Sequence, residues 1–195
     1  MIVFQSLVVI PFCWQLFRML KAVELVAPSL DHVEQRMSYP SSPEIIRMYG
    51  GEPTRSLQTS RTTATRWVQK LIDHPCAWVI TADGRIVGQA RLDDINQKDQ
   101  KARLALGLLS EGDLGKGIGR QAIQKVLDYA FEEITLNRVD LRVLAFNKRA
   151  IRCYMACGFI EEGRERESAR ISGKWYDDII MGILKREHLS RKKDV

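Results

Sequence analysis

Three closely spaced glycines and one tyrosine-bearing run hold the residues of this chain best suited to chemistry. Leu114-Gly115-Lys116-Gly117-Ile118-Gly119-Arg120 lies between a stretch that reads as strand and one that reads as a long helix. Glycines at such a junction let the backbone approach a ligand with no Cβ in the way. A helix start also presents N–H groups without intrahelical partners and a partial positive charge, which together stabilise a phosphate. Lys116 and Arg120 add positive charge there. The same residues would equally make a plain strand-to-helix turn with no ligand. The second run, Asn147 to Phe159, reads as a helix with Asn147 as its cap and Gly158 as its stop. Tyr154, at its middle, carries a hydroxyl able to give up a proton and a ring equally suited to a core.

Two nucleotide-binding patterns can be tested against the glycines. A Walker loop needs Ser or Thr after Gly-Lys, and Gly117 stands there instead. A dinucleotide fingerprint fits Gly117-x-Gly119-x-x-Ala122 better. Its acidic partner would be Asp140, which falls at the start of the next strand rather than at its end. An NAD(P)-binding oxidoreductase is therefore the weaker alternative.

The elements that must position these residues follow from periodicity and turn chemistry. Val23 to Val26 reads as a strand, Ser29 to Met37 as a capped helix, Glu44 to Tyr49 as a short helix, and Ser60 to Ile72 as a helix ended by His74-Pro75. Cys76 to Thr81 and Arg85 to Leu92 flank Asp83-Gly84, a strong hairpin signal. Asp93 to Lys101 reads as a polar turn, and Ala102 to Leu109 as a strand with Ala102, Leu104, Leu106 and Leu108 on one face. Helical spacing over Ile123, Val126, Leu127, Ala130, Phe131 and Ile134 predicts one long amphipathic helix. Val139 to Ala145 alternates as a strand, and a last hairpin turns at Ser172-Gly173-Lys174. Hairpins followed by a strand–helix–strand–helix unit indicate one α+β domain on a single sheet.

Composition narrows the classes further. In 195 residues, 45% are apolar and 28% charged, a globular balance. The net charge of +6 is diffuse and carries no nucleic-acid-binding motif, so no nucleic-acid partner is expected. The four cysteines form no Cys-x-x-Cys and none of the three histidines lies near a cysteine pair, so no metal site is expected and the thiols read as reduced and cytoplasmic. Residues 1–21 form an interrupted apolar extension that reads as lying outside the fold, with no stable membrane association. The domain then runs over 22–185, and 186–195 reads as a solvated basic tail.

With both motifs in order, the chain resembles the GNAT superfamily of N-acetyltransferases. Its Asn147-x-x-Ala150-x-x-x-Tyr154-x-x-x-Gly158-Phe159 series is similar to the second half of that family's acyl-CoA site. Gly117 and Gly119 match its pyrophosphate motif, Gln/Arg-x-x-Gly-x-Gly/Ala, with Leu114 in place of the Gln or Arg. Residues 173–184 are similar to the closing hairpin of ribosomal-protein N-terminal acetyltransferases, and 150–159 to aminoglycoside 6′-N-acetyltransferases.

The resemblance implies a GNAT-like α+β fold whose mixed central sheet splays between the strands at 102–109 and 138–146. It also implies acetyl-CoA as co-substrate, a small-molecule or peptide amine as acceptor, and allows a homodimer. By resemblance, Leu108, Leu109 and Asn147 meet the pantetheine arm, while Leu114, Gly115, Lys116, Gly117, Ile118, Gly119 and Arg120 surround the pyrophosphate. Tyr154 is then the general acid for the leaving thiolate. Several family members place a Glu on the splayed strands; none stands on either here, so a water chain is the expected base. Asp93, Asp94 and Asp178 are expected to gather and hold a cationic amine. An acyl-CoA-binding regulatory module without catalysis is the other reading.

Overall fold

Two tight reversals set the sheet. Asp83-Gly84 and Ser172-Gly173 each hold two successive residues at positive φ (52° and 73°, 48° and 79°), the conformation whose twist suits a two-residue hairpin. The computed structural model describes residues 22–52 and 58–193, so the extension expected at 1–21 lies outside the described residues.

Within these, the strands are β1 (Val23–Val26), β2 (Ala77–Ala82), β3 (Arg85–Asn96), β4 (Lys101–Leu108), β5 (Arg138–Leu144), β6 (Ile160–Ile171) and β7 (Lys174–Leu184). They form one seven-stranded sheet in the order β1-β2-β3-β4-β5-β7-β6. Every neighbouring pair is antiparallel except β4 and β5. A doubly wound dinucleotide domain is built on a mostly parallel sheet, so this topology removes the oxidoreductase alternative.

The helices are α1 (His32–Met37), α2 (Pro43–Met48), α3 (Arg61–Ile72), α4 (Ile118–Asp128), α5 (Lys148–Cys157) and α6 (Lys185–Lys193). The α4 stripe of Ile118, Ala122, Ile123, Val126 and Leu127 packs with Leu104, Leu108, Val139, Leu141 and Val143 in the main core. On the opposite face Tyr39 and Leu71 meet Val79 and Ile86.

Three elements differ from the sequence expectation. β3 runs on to Asn96, because Asp93 still pairs with Arg103 and Asn96 with Lys101. The long helix is α-helical only to Asp128. Residues 129–133 then form one wider π turn, closed by Ile134 N–H to Tyr129 O at 3.1 Å.

The solvated tail is a correction: residues 185–193 form α6 and dock. His188 is buried, with Nε2 2.8 Å from Asp128 Oδ1 and its ring beside Phe131. The Lys192 ammonium sits between Asp128 and Glu132, at 2.9 and 2.7 Å. Arg191 donates to Ala156 O at the end of α5.

Candidate active site

β4 and β5 pair only through Lys101–Arg103 and Arg138–Asp140, and beyond these they separate. Leu109 donates its N–H to Val87 O at 2.8 Å, which fixes the phase of the β3–β4 ladder. In an antiparallel pair, alternate residues bond to the same neighbour. Ala105 and Gly107 therefore turn their backbone groups to β3, while Leu104, Leu106 and Leu108 turn theirs into the gap. Of the two residues expected to meet an extended ligand, Leu108 offers its backbone and Leu109 has its donor committed elsewhere.

The glycine loop follows directly. Asp113 is buried and holds Arg85 at 2.8 Å, which anchors the turn before the loop. Leu114 is half-buried against the main core, so its side chain belongs to packing. Gly115 and Gly117 adopt φ of 74° and 77°, and a Cβ on either would meet open space. Glycine is needed here for backbone conformation, not for room. Gly117 is the cap of α4 and has no side chain to satisfy the helix start. Among the described residues no acceptor meets the N–H groups of residues 115–120. Lys116 and Arg120 are exposed at its rim, whereas the Ile118 side chain is buried in the core, leaving only its N–H for a ligand. A row of free donors at a helix N-terminus is suited to a pyrophosphate.

Asn147 caps α5 by accepting from Ala150 N–H at 3.2 Å, and its amide donates to Met48 O at 3.5 Å. It therefore ties the start of α5 to the end of α2. Tyr154, about two turns further on, is half-buried with its ring edge-on to Phe159. Its hydroxyl makes no hydrogen bond to another described residue. Burial, and then the proximity of Tyr49, raise its pKa well above the ordinary tyrosine value.

Tyr49 is the site residue that sequence reasoning missed. Its hydroxyl donates to Leu108 O at 3.3 Å, on the strand edge that faces the gap. Burial pushes its pKa up to about 12, against the lowering effects of that bond and of Arg149. The residue as a whole is 54% exposed, while its hydroxyl end is held against β4 at Gly107 and Leu108. Gly107 makes room for it, since a Cβ there would stand 2.6 Å from the Tyr49 oxygen. The turn of α2 before it carries Arg47, stacked 4.3 Å over the Phe146 ring, and Phe146 meets Tyr176 edge-on. No spacing rule links residue 49 to residue 107, and the only local signal is the Gly50-Gly51 break after it.

The acidic cluster is a correction. Asp93 is held by His74 at 3.0 Å and by Arg91 at 2.7 Å, Asp94 lies 3.9 Å from Arg103, and Asp178 lies 3.2 Å from Arg142. Asp93 pairs across from Arg103, five residues before Leu108 on β4, or about 17 Å at strand rise. Asp178 instead lies opposite Leu144, at the splayed end. Each carboxylate has a cationic partner, and the three do not converge.

Residues 23–160 match the acetyltransferase (GNAT) domain family. Spermidine N(1)-acetyltransferase of Vibrio cholerae is 33% identical over 112 residues, covering 57% of this chain and 64% of the relative. Bacillus subtilis YdaF, provisionally named a ribosomal N-acetyltransferase, is 34% identical over 105 residues, covering 54% and 57%. The chain thus spans less than two thirds of the length of these relatives. A crystal structure of Vibrio cholerae spermidine N-acetyltransferase in complex with CoA and spermine superposes with a TM-score of 0.71 at 25% identity, covering 86% of this chain and 98% of that one. The family match spans β4, the glycine loop and α5, and the chain belongs to the GNAT acetyltransferase family.

Proposed function

We propose that this chain transfers the acetyl group of acetyl-CoA directly to a primary amine of a small molecule or protein. The observation that carries this reading is the separation of β4 and β5 after residues 103 and 140, with the glycine loop at its mouth and the Tyr154 hydroxyl unengaged nearby. The pantetheine arm would lie along Leu106 and Leu108 as an added strand, and the pyrophosphate would sit on the N–H groups of 115–120. Asn147 holds the α5 start against α2 and closes one wall.

The amine attacks the thioester carbonyl carbon, and the C–N bond forms as the C–S bond breaks. The Leu108 N–H is placed to polarise the carbonyl oxygen as negative charge develops there. The departing thiolate takes its proton from Tyr154. Burial keeps that hydroxyl protonated at neutral pH but makes the tyrosinate costly. Donation is therefore coupled to loss of the amine proton rather than running ahead of it. Residues 104–108 and 141–144 include no carboxylate, so that proton leaves to water.

The Vibrio cholerae relative holds spermine, which makes polyamines the first acceptors to try, beside N-terminal peptides, aminoglycosides and amino acids. We place the reaction in the cytoplasm, consistent with free Cys76, Cys153 and Cys157. Among the described residues no helix is long and apolar enough to cross a membrane. The test is release of CoA thiol with this amine panel, with the acetylated product weighed by mass spectrometry. Thermal stabilisation by acetyl-CoA with no acetyl transfer to any amine would favour the regulatory-module reading instead.

A further inference from the structure

The end of α2 lies across the gap on the face opposite α4. Leu106 and Leu108 pack with α4 in the main core, which turns Gly107 to the other face, and there Tyr49 covers it. Leu141 and Val143 pack in the same core, which turns Leu144 to the other face, where a Cβ on Gly50 would stand 3.8 Å from its Cδ1. Tyr49 and Gly50 therefore reach from β4 to β5. The core fills the α4 face, so an amine must come to a thioester held in the gap from the α2 face.

The charge waiting there is positive. Arg47, two residues before Tyr49, is half-buried with its guanidinium stacked 4.3 Å over the Phe146 ring, and Phe146 meets Tyr176 edge-on. Stacking uses the face of a guanidinium and leaves the N–H groups at its edge available. Among the described residues none of those donors meets an acceptor. No carboxylate there pairs with Arg47, Glu44 one turn before it on α2 included. At the splayed end the acids are engaged elsewhere. Asp178 and Glu165 pair with Arg142, and Glu52 accepts from the Ser172 N–H and hydroxyl at 2.8 and 2.9 Å. A planar cation with its fork unused matches a carboxylate, which it can take through two parallel N–H bonds. A polyamine would instead bring a second ammonium toward the guanidinium, and like charges repel.

We propose that the acceptor is an amine that also carries a carboxylate, an amino acid rather than a polyamine, and that Arg47 determines this specificity by receiving the carboxylate. The proposal rests on the reading of the gap as the acetyl-transfer site. The reacting atoms are those already given: the C–N bond forms as the C–S bond breaks, the amine proton leaves to water and the thiolate takes the Tyr154 proton. The carboxylate passes through unchanged, and the products are an N-acetyl amino acid and CoA.

The test measures kcat/KM for neutral α-amino acids, each beside its primary amide, and for spermidine, with acetyl-CoA saturating. The amide has the less basic amine, so more of it is unprotonated at neutral pH. A preference for the acid therefore runs against the supply of nucleophile. The acid is expected to exceed its amide by about tenfold or more, with the difference in KM, and to exceed spermidine. In Arg47→Gln the ratio of acid to amide should fall to within about twofold of one. Arg47→Lys keeps the charge without the planar fork and should restore part of the ratio. Faster transfer to spermidine than to every amino acid, or an acid-to-amide ratio unmoved in Arg47→Gln, overturns the proposal. Failure to acetylate any amine while acetyl-CoA still binds would strike the transfer reading instead. Calorimetry of an N-acetyl amino acid with the CoA-saturated protein then judges Arg47. Binding weakened about tenfold in Arg47→Gln supports its role, and binding that is absent or equal in the two proteins overturns it.

Discussion

Replacing Tyr154 by phenylalanine removes one oxygen and keeps the ring. The ring packs edge-on to Phe159 with centroids 5.8 Å apart, and that contact survives the change. The lost hydroxyl has no hydrogen-bond partner among the described residues, so its removal leaves none stranded. Stability should stay within about 0.5 kcal/mol of wild type. Acetyl-CoA affinity should hold within about twofold, since the proposed pyrophosphate donors lie on the loop at 115–120 and not on this side chain. The chemical step should slow by about 10²- to 10⁴-fold, the usual contribution of a positioned general acid. That corresponds to roughly 3 to 5.5 kcal/mol of barrier. The assay is single-turnover acetyl transfer, which separates chemistry from product release, run beside acetyl-CoA titration and thermal melting. Transfer by Tyr154→Phe within about threefold of wild type would refute the acid assignment. A rate loss accompanied by a large fall in Tm would point to packing instead.

Three further outcomes follow from the same geometry. Gly117→Ala has space for its methyl but must hold φ near 77°, so it should cost roughly 1–2 kcal/mol of stability and weaken acetyl-CoA binding by about tenfold, read by denaturant melts and calorimetry. Gly107→Ala would place a Cβ 2.6 Å from the Tyr49 oxygen, so Tyr49 must leave Leu108, with a loss of about 1–3 kcal/mol in denaturant melts and a lowered kcat/KM. Burial alone would raise the Asp128 pKa, but hydrogen bonds from Lys192 and His188 outweigh it and hold it below the ordinary value. Its contribution is therefore present above about pH 4 and fades as the pH falls through the folded value. Asp128→Asn should lower Tm at pH 7 by the equivalent of about 1 kcal/mol, and the gap from wild type should close by pH 3.

What the sequence revealed was local. The Asp83-Gly84 and Ser172-Gly173 reversals carry their conformation in two adjacent residues, so both hairpins were legible. The Asn147 cap and the Gly158 stop, at φ of 103°, bounded α5 in the same way. What escaped was decided by partners far along the chain. Asp93 looked like a loop carboxylate because β3 runs on past it, which brings Arg91 alongside, and because His74 meets it only in the folded sheet. The basic run at 185–193 looked solvated because Asp128 and Glu132, which receive it, stand on another helix. Tyr49 reaches the site only because Gly107 lies across from it on β4, with α3, β2 and β3 between them in sequence, and no period of 2 or 3.6 connects them.

The parting of β4 and β5 also bears on how this chain avoids its own kind. An open strand edge normally invites pairing with another protein molecule, and proteins cover or charge their outer edges to prevent it. Here unpaired edges lie inside the sheet, between strands still fastened at one end through Lys101–Arg103 and Arg138–Asp140. A folded partner would have to force the wedge wider to reach Leu106 and Leu108. A single slender chain of amides has no such bulk, which is why the proposed place for the pantetheine arm is here. The fold thus keeps an unpaired strand edge inside its sheet, where a second sheet cannot simply be laid alongside it as it could at an outer rim.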